Sequence, residues 1–239
     1  MFDRDPQSKL PVAGAASAPV LSHAAWVRIT PFLVYMLFIV VDDVLGSVGI
    51  GALQLRWLYG IKIFAVSLTL VIFWRHYTEL HTLRLSPTTT AIAVLVGVLV
   101  FAQWIHLSSG WMLIGSPEGF DPRNNGQIDW TMVAVRLAGA ALVVPVMEEL
   151  FWRSFLMRWI NASDFQSVNP AQVRWSSIAV ASVMFGFEHQ LWLAGIVAGI
   201  AYGLVYKWHG NLWSAILAHA VTNGVLGVWI VRSESWTYW

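Results

Sequence analysis

The chain has 239 residues, of which 57% are hydrophobic, 14% aromatic and only 11% charged, against about 25% charged in an ordinary soluble domain. Its net charge of +1 offers no electrostatic basis for binding nucleic acid or an acidic substrate. It contains no cysteine, which excludes disulfides, a thiol nucleophile and thiolate zinc sites. Apolar runs near the spanning length of about 20 residues recur throughout. The fold class expected is all-α, a polytopic membrane helical bundle of about seven or eight spans.

Residues 1–25 are polar and rich in Ala, Pro and Ser, with no apolar core ahead of AGAASA. They read as a disordered cytoplasmic tail rather than a cleaved signal. Residues 26–239 read as a single transmembrane domain. Its first span runs from Trp26 to Leu45 and closes on Asp42, Asp43 and Gly46. A second runs from Trp57 to Trp74, interrupted by Gly60 and Lys62, and a third from Thr90 to Leu107. The longest polar break, Ser108 to Asp129, is made of turn formers and carries Glu118, Asp121 and Asp129 against Arg123. A fourth helix follows from Trp130 to Ile160, a fifth from Arg174 to His189, a sixth from Leu191 to Trp208 and a seventh from Leu212 to Val231. Arg75, Arg84, Arg158, Arg174 and Lys207 then fall on one side, which the lysine and arginine bias makes cytoplasmic together with the N-terminus.

The stretch PVMEELFWRSFLMRW stands apart because it places Glu148, Glu149 and Arg153 inside an apolar span. Each such group costs about 2.5 kcal/mol or more on insertion scales, so retention of three points to a use. Helical rise puts Glu148 about 15 Å from the cytoplasmic end, His219 about 12 Å, Asn223 about 18 Å and His189 about 22 Å. Glu149 and Arg153 are spaced i,i+4, the favourable order for an ion pair on one helix face. Phe185 with His189, and His219 with Asn223, share that spacing. The economical division has Arg153 neutralising Glu149 and leaves Glu148 facing a cavity with His189, His219, Asn223 and water. Such a set suffices for hydrolysis, with a carboxylate as base for water and an imidazole and amide as oxyanion donors. No serine elbow and no H-E-x-x-H zinc helix occurs.

These residues resemble the motifs of the type II CAAX prenyl endopeptidase and bacteriocin-processing family, the Abi-like intramembrane proteases. E-E-x-x-x-R stands as Glu148, Glu149 and Arg153, F-x-x-x-H as Phe185 and His189, and H-x-x-x-N as His219 and Asn223. The segment R-x-x-P-F-x-x-Y, Arg28 to Tyr35, looks like the exosortase-associated branch, which implies a bacterial inner membrane. The resemblance implies a protease core at about 130–232 and peptide-bond hydrolysis in a conical cavity. It also implies that Glu148 and His189 activate water while His219 and Asn223 hold the oxyanion. The substrate implied is a membrane protein or lipidated peptide, with the bilayer as the other partner, no nucleic acid and no cofactor. Glu188 matches nothing in the pattern.

Blander readings stand beside these. Glu149 with Arg153 serves as a helix-stabilising pair, and a lone His189 or His219 would be a polar contact between helices. Asp42 and Asp43 read as interfacial, and His76, His81 and His209 as surface residues. Lys62 and Arg56 read as snorkelling, and Arg136 as snorkelling or pairing with an acid. SESWTYW reads as an interfacial anchor. Two alternatives remain open: a metal-dependent protease with zinc on the same His and Glu residues, and a non-enzymatic scaffold or bacteriocin-immunity protein.

Overall fold

The structure is a computed structural model that describes residues 21–51, 55–115 and 119–239. Most of the N-terminal tail, and Glu118 of the acidic loop, lie outside the described residues. Seven helices follow one another among the described residues: α1 His23–Ser47, α2 Leu58–Ile72, α3 Pro87–His106, α4 Trp130–Asn161, α5 Trp175–Phe187, α6 Trp192–His209 and α7 Leu212–Ser233. The bundle is all-α; its only described strands are a two-residue antiparallel ladder pairing Arg123 with Ile128 and Asn124 with Gln127. Asn125 and Gly126 close that hairpin with positive φ of 50° and 81°, as an Asn-Gly turn requires.

Helix starts follow local chemistry. Ser22, Ser86, Asp129 and Asn211 each accept a backbone N–H of the first turn of α1, α3, α4 and α7, and Pro87 opens α3 where its missing N–H is not needed. Gly210, at φ 64°, ends α6 in the left-handed conformation that glycine adopts without strain. α1, α3, α4 and α7 are long and apolar enough to cross a membrane, while α2 and α5 are apolar but shorter. By helical rise α2 covers about 22 Å and α5 about 20 Å, less than a hydrocarbon core of about 30 Å. The turn between α5 and α6 is tied to the segment after α3. Gln190 O accepts from Ile114 N at 2.8 Å, and Trp192 Nε1 donates to Trp111 O at 3.0 Å.

Contacts between loops fix alternation of the helices. Lys207 donates to Ala171 O and Val173 O, Asn211 to Arg84 O, and Trp213 to Leu80 O, so these segments share one end of the bundle. At the other end Phe120 N donates to Trp236 O and Tyr238 to Ser108 Oγ. Close approaches of the backbone require glycine at several positions, Gly97 and Gly186 among them. A Cβ on Gly97 of α3 would meet Ala218 O and lie 2.8 Å from Val221 Cβ of α7, and one on Gly186 of α5 would lie 2.6 Å from Trp192 O.

Arg28 organises the end where α1 begins. It donates to Glu79 Oε1 and Oε2 at 2.8 and 2.6 Å, to Ser154 Oγ at 3.2 Å, and to Ala24 O and His76 O. Ser154 also donates to Glu79. The Arg28-Phe32-Tyr35 face thus has three tasks. Arg28 ties the α2–α3 loop to α4, Phe32 stacks on Phe151 at 4.0 Å, and Tyr35 reaches the cavity described next.

Candidate active site

α4 is not a plain α-helix. Gly139–Val143 and Leu150–Leu156 are π-helical, and they bracket the α-helical turn Val144–Glu149 that carries both glutamates. Wider turns change the direction of the side chains that follow and leave carbonyls for other donors. Asn223 Nδ2 takes that opportunity, donating to Ala140 O at 2.9 Å. A straight-helix reading of the sequence does not contain these two turns, because their driving contacts come from α1, α5 and α7.

Glu148, His189, His219 and Asn223 all line one cavity of about 290 Å³. Glu148, Glu149 and His219 are buried and His189 is half-buried. Glu148 Oε2 lies 4.0 Å from His219 Nε2. That is too long for a direct hydrogen bond. His189 Nδ1 lies 2.8 Å from Phe185 O, which makes Nδ1 the protonated nitrogen of a neutral ring and leaves Nε2 for the cavity. Trp104 meets the His189 ring edge-on at 5.4 Å.

Glu149 does more than stabilise its helix. Its Oε1 lies 3.1 Å from Arg153 Nη1 and also 3.0 Å from His219 Nδ1. A buried carboxylate on Nδ1 orients the ring and aims Nε2 toward Glu148. Arg153 is itself fixed, lying 4.4 Å over the Phe185 ring and donating to Gly199 O at 3.4 Å. Tyr202 stacks on the other side of His219 at 4.8 Å and donates to Thr222 Oγ1, which donates to Gly97 O and Ala218 O. Phe185 therefore earns its place at the site by carrying Arg153, packing on His189 at 4.7 Å and accepting from it through the backbone.

Residues 130–225 match the family described as type II CAAX prenyl endopeptidase Rce1-like. Over that segment the chain is similar to the Rce1-like family. No curated protein and no solved structure matches the chain. The Rce1-like segment begins at the first residue of α4 and ends just past Asn223, so it holds every polar side chain of the Glu–His–Asn group. The family it resembles is one of CAAX prenyl endopeptidases, and the chain's apolar helices make the protein an integral membrane protein.

Several lining residues lie outside the Rce1-like segment: Tyr35, Tyr59 and Trp104 from α1 to α3, and Tyr238 and Trp239 from the tail. Sequence reading missed them because an aromatic in an apolar span carries no mark of its partner. The tail residues pack over the bundle, with Tyr238 edge-on to Trp229 at 5.3 Å. Glu188 accepts from Trp152 Nε1 at 2.9 Å. Arg56 donates to Pro122 O, and Lys62 lies 4.1 Å over Tyr35 rather than reaching outward. Among the described residues, no three His, Asp or Glu side chains gather as a cation site. His219 Nδ1 is already turned to Glu149 and His189 Nδ1 to Phe185 O, so only one nitrogen of each ring is open to any ligand.

Proposed function

We propose that the protein is an intramembrane glutamate endopeptidase that hydrolyses a peptide bond of a membrane-associated or lipidated protein. The observation that carries this reading is the convergence of Glu148, His189, His219 and Asn223, from α4, the α5–α6 turn and α7, on one cavity. Glu148 takes a proton from a water as it attacks the scissile carbonyl and returns it to the leaving amine. His189 Nε2 holds that water, and Asn223 Nδ2 with His219 supplies donors to the oxyanion. The Glu149 carboxylate 3.0 Å from His219 Nδ1 fixes the ring so that Nε2 faces the cavity. Arg153 neutralises Glu149 and acts on the chemistry only through it.

The test compares the termini of membrane proteins in cells carrying the wild-type chain and Glu148→Gln. New termini that vanish in a folded Glu148→Gln protein support hydrolysis, and a Glu148→Gln chain that fully replaces the wild type sinks it in favour of a scaffold. Metal analysis of the purified protein, with cleavage measured after chelation, decides between the glutamate route and zinc on the same residues. A bacterial inner-membrane location with a cytoplasmic N-terminus is part of this proposal, and a reporter fused before Trp26 tests it.

A further inference from the structure

Arg136 is a membrane-depth cation that the hydrolytic scheme does not use. It lies on α4 before the first π-turn and lines the same cavity as Glu148. Its guanidinium carbon sits 4.6 Å from the Tyr59 ring centre, 4.1 Å from Phe120 and 6.0 Å from Trp239. It forms no ion pair with a described carboxylate. Arg136 and Tyr59 also line a second cavity of about 610 Å³, so together they stand between the two spaces. Asp42, Asp43, Arg56 and Lys62 line that second space, and neither aspartate pairs with Arg136. Aromatic faces hold a guanidinium in place and leave its edge, a fork of N–H donors, for a planar oxyanion. Arg153 and Arg28, by contrast, are both paired with acids.

We infer that Arg136 is the specificity residue of this site and that it binds a carboxylate of the peptide substrate close to the scissile bond. The inference rests on the reading of the cavity as a peptide-hydrolysing site. Helical rise separates Arg136 from Glu148 by about 18 Å at most, which an extended peptide covers in about five residues. The carboxylate is therefore a terminal one or an Asp or Glu side chain within about five residues of the cleaved bond. Charge-assisted hydrogen bonds of a bidentate pair correspond to a preference of about ten- to hundredfold over the uncharged analogue.

The test separates binding from cleavage. The full chain carrying Glu148→Gln, in phosphatidylcholine nanodiscs, is offered a random decapeptide pool made as free acids and as terminal amides, and retained peptides are read by mass spectrometry. Enrichment of free acids or of Asp- and Glu-containing peptides by about tenfold or more, falling to near parity with Arg136→Gln added, supports the inference. Arg136→Lys, which keeps the charge and loses the fork, retains part of the preference and serves if the glutamine variant does not fold. Equal retention of charged and neutral peptides, no retention at all, or a preference untouched by both variants overturns it. A preference that disappears in phosphatidylglycerol nanodiscs shows lipid phosphate on the fork and overturns it too. Cleavage by the wild-type chain, absent in Glu148→Gln, is scored separately, so a failed protease reading and a failed carboxylate site give different results.

Discussion

Replacing Arg153 with alanine leaves Glu149 as a wholly buried carboxylate whose remaining ionic neighbour is the His219 ring. The pair is 3.1 Å apart, with side chains 3% and 0% exposed, so solvent cannot take over the guanidinium's role. Breaking one partner of such a pair costs about 3–5 kcal/mol. Loss of the guanidinium from the Phe185 face adds about 1 kcal/mol, and the retained contact to His219 Nδ1 moves the sum toward the lower end. We expect Arg153→Ala to destabilise by about 3–4 kcal/mol. Removing both charges, as Glu149→Gln with Arg153→Met, should recover about 1–3 kcal/mol relative to the sum of the single changes. Tryptophan fluorescence during unfolding of the purified protein in mixed micelles measures all four corners of the cycle. An Arg153→Ala loss under about 1 kcal/mol, or a double variant that simply adds, would refute a buried pair. The double variant should still cleave poorly, because His219 loses the carboxylate that orients it.

Glu148→Gln should remove cleavage with little change in unfolding, read on any substrate that the terminal proteomics identifies. Tyr202→Phe breaks the Tyr202–Thr222 hydrogen bond beside His219 and should cost about 1 kcal/mol of stability with a loss of turnover larger than the loss of substrate affinity. Gly97→Ala forces α3 away from Val221 and Ala218 of α7 and should destabilise by about 1–3 kcal/mol, measured in the same micelles. Burial acts to raise the Glu79 carboxyl, but hydrogen bonds and charge from Arg28, with the Ser154 hydroxyl, outweigh it and hold Glu79 below the usual range. A depressed folded pKa gives stability that is present above the unfolded value of about 4.3 and is lost as pH falls through the lower folded value. Wild type should therefore exceed Glu79→Gln in stability at pH 7, with the gap closing in acid; a constant gap would disprove the linkage.

The order and approximate limits of the helices were legible in the sequence. Apolar runs, serine and aspartate caps and Gly210 mark them to within a few residues, because helix formation and capping are local. The membrane class follows from composition alone. The Glu148–Asn223 set was legible through spacing, since i,i+4 pairs on successive helices can face a common space. What spacing could not express is which oxygen meets which nitrogen. Glu149 sits on the helix beside Arg153, and sequence assigns it to that partner, but the structure brings His219 to the same oxygen.

The two π-turns in α4 belong to the same category, since their residues, GAALV and LFWRSFL, carry no local signal distinct from an α-helix. The aromatic wall of the cavity and the position of Arg136 between two cavities were likewise decided by packing among α1, α2, α3, α4 and the tail. The sequence by itself determined a membrane bundle of helices and the residue types available for hydrolysis, because hydrophobicity, capping and helical period act within a few turns. Tertiary structure decided that Glu149 serves both Arg153 and His219, that Tyr35 and Trp239 reach the site, and that Arg136 faces it without an ion pair among the described residues. Those are distances between segments far apart in the chain, and only the packing of one helix on another sets them.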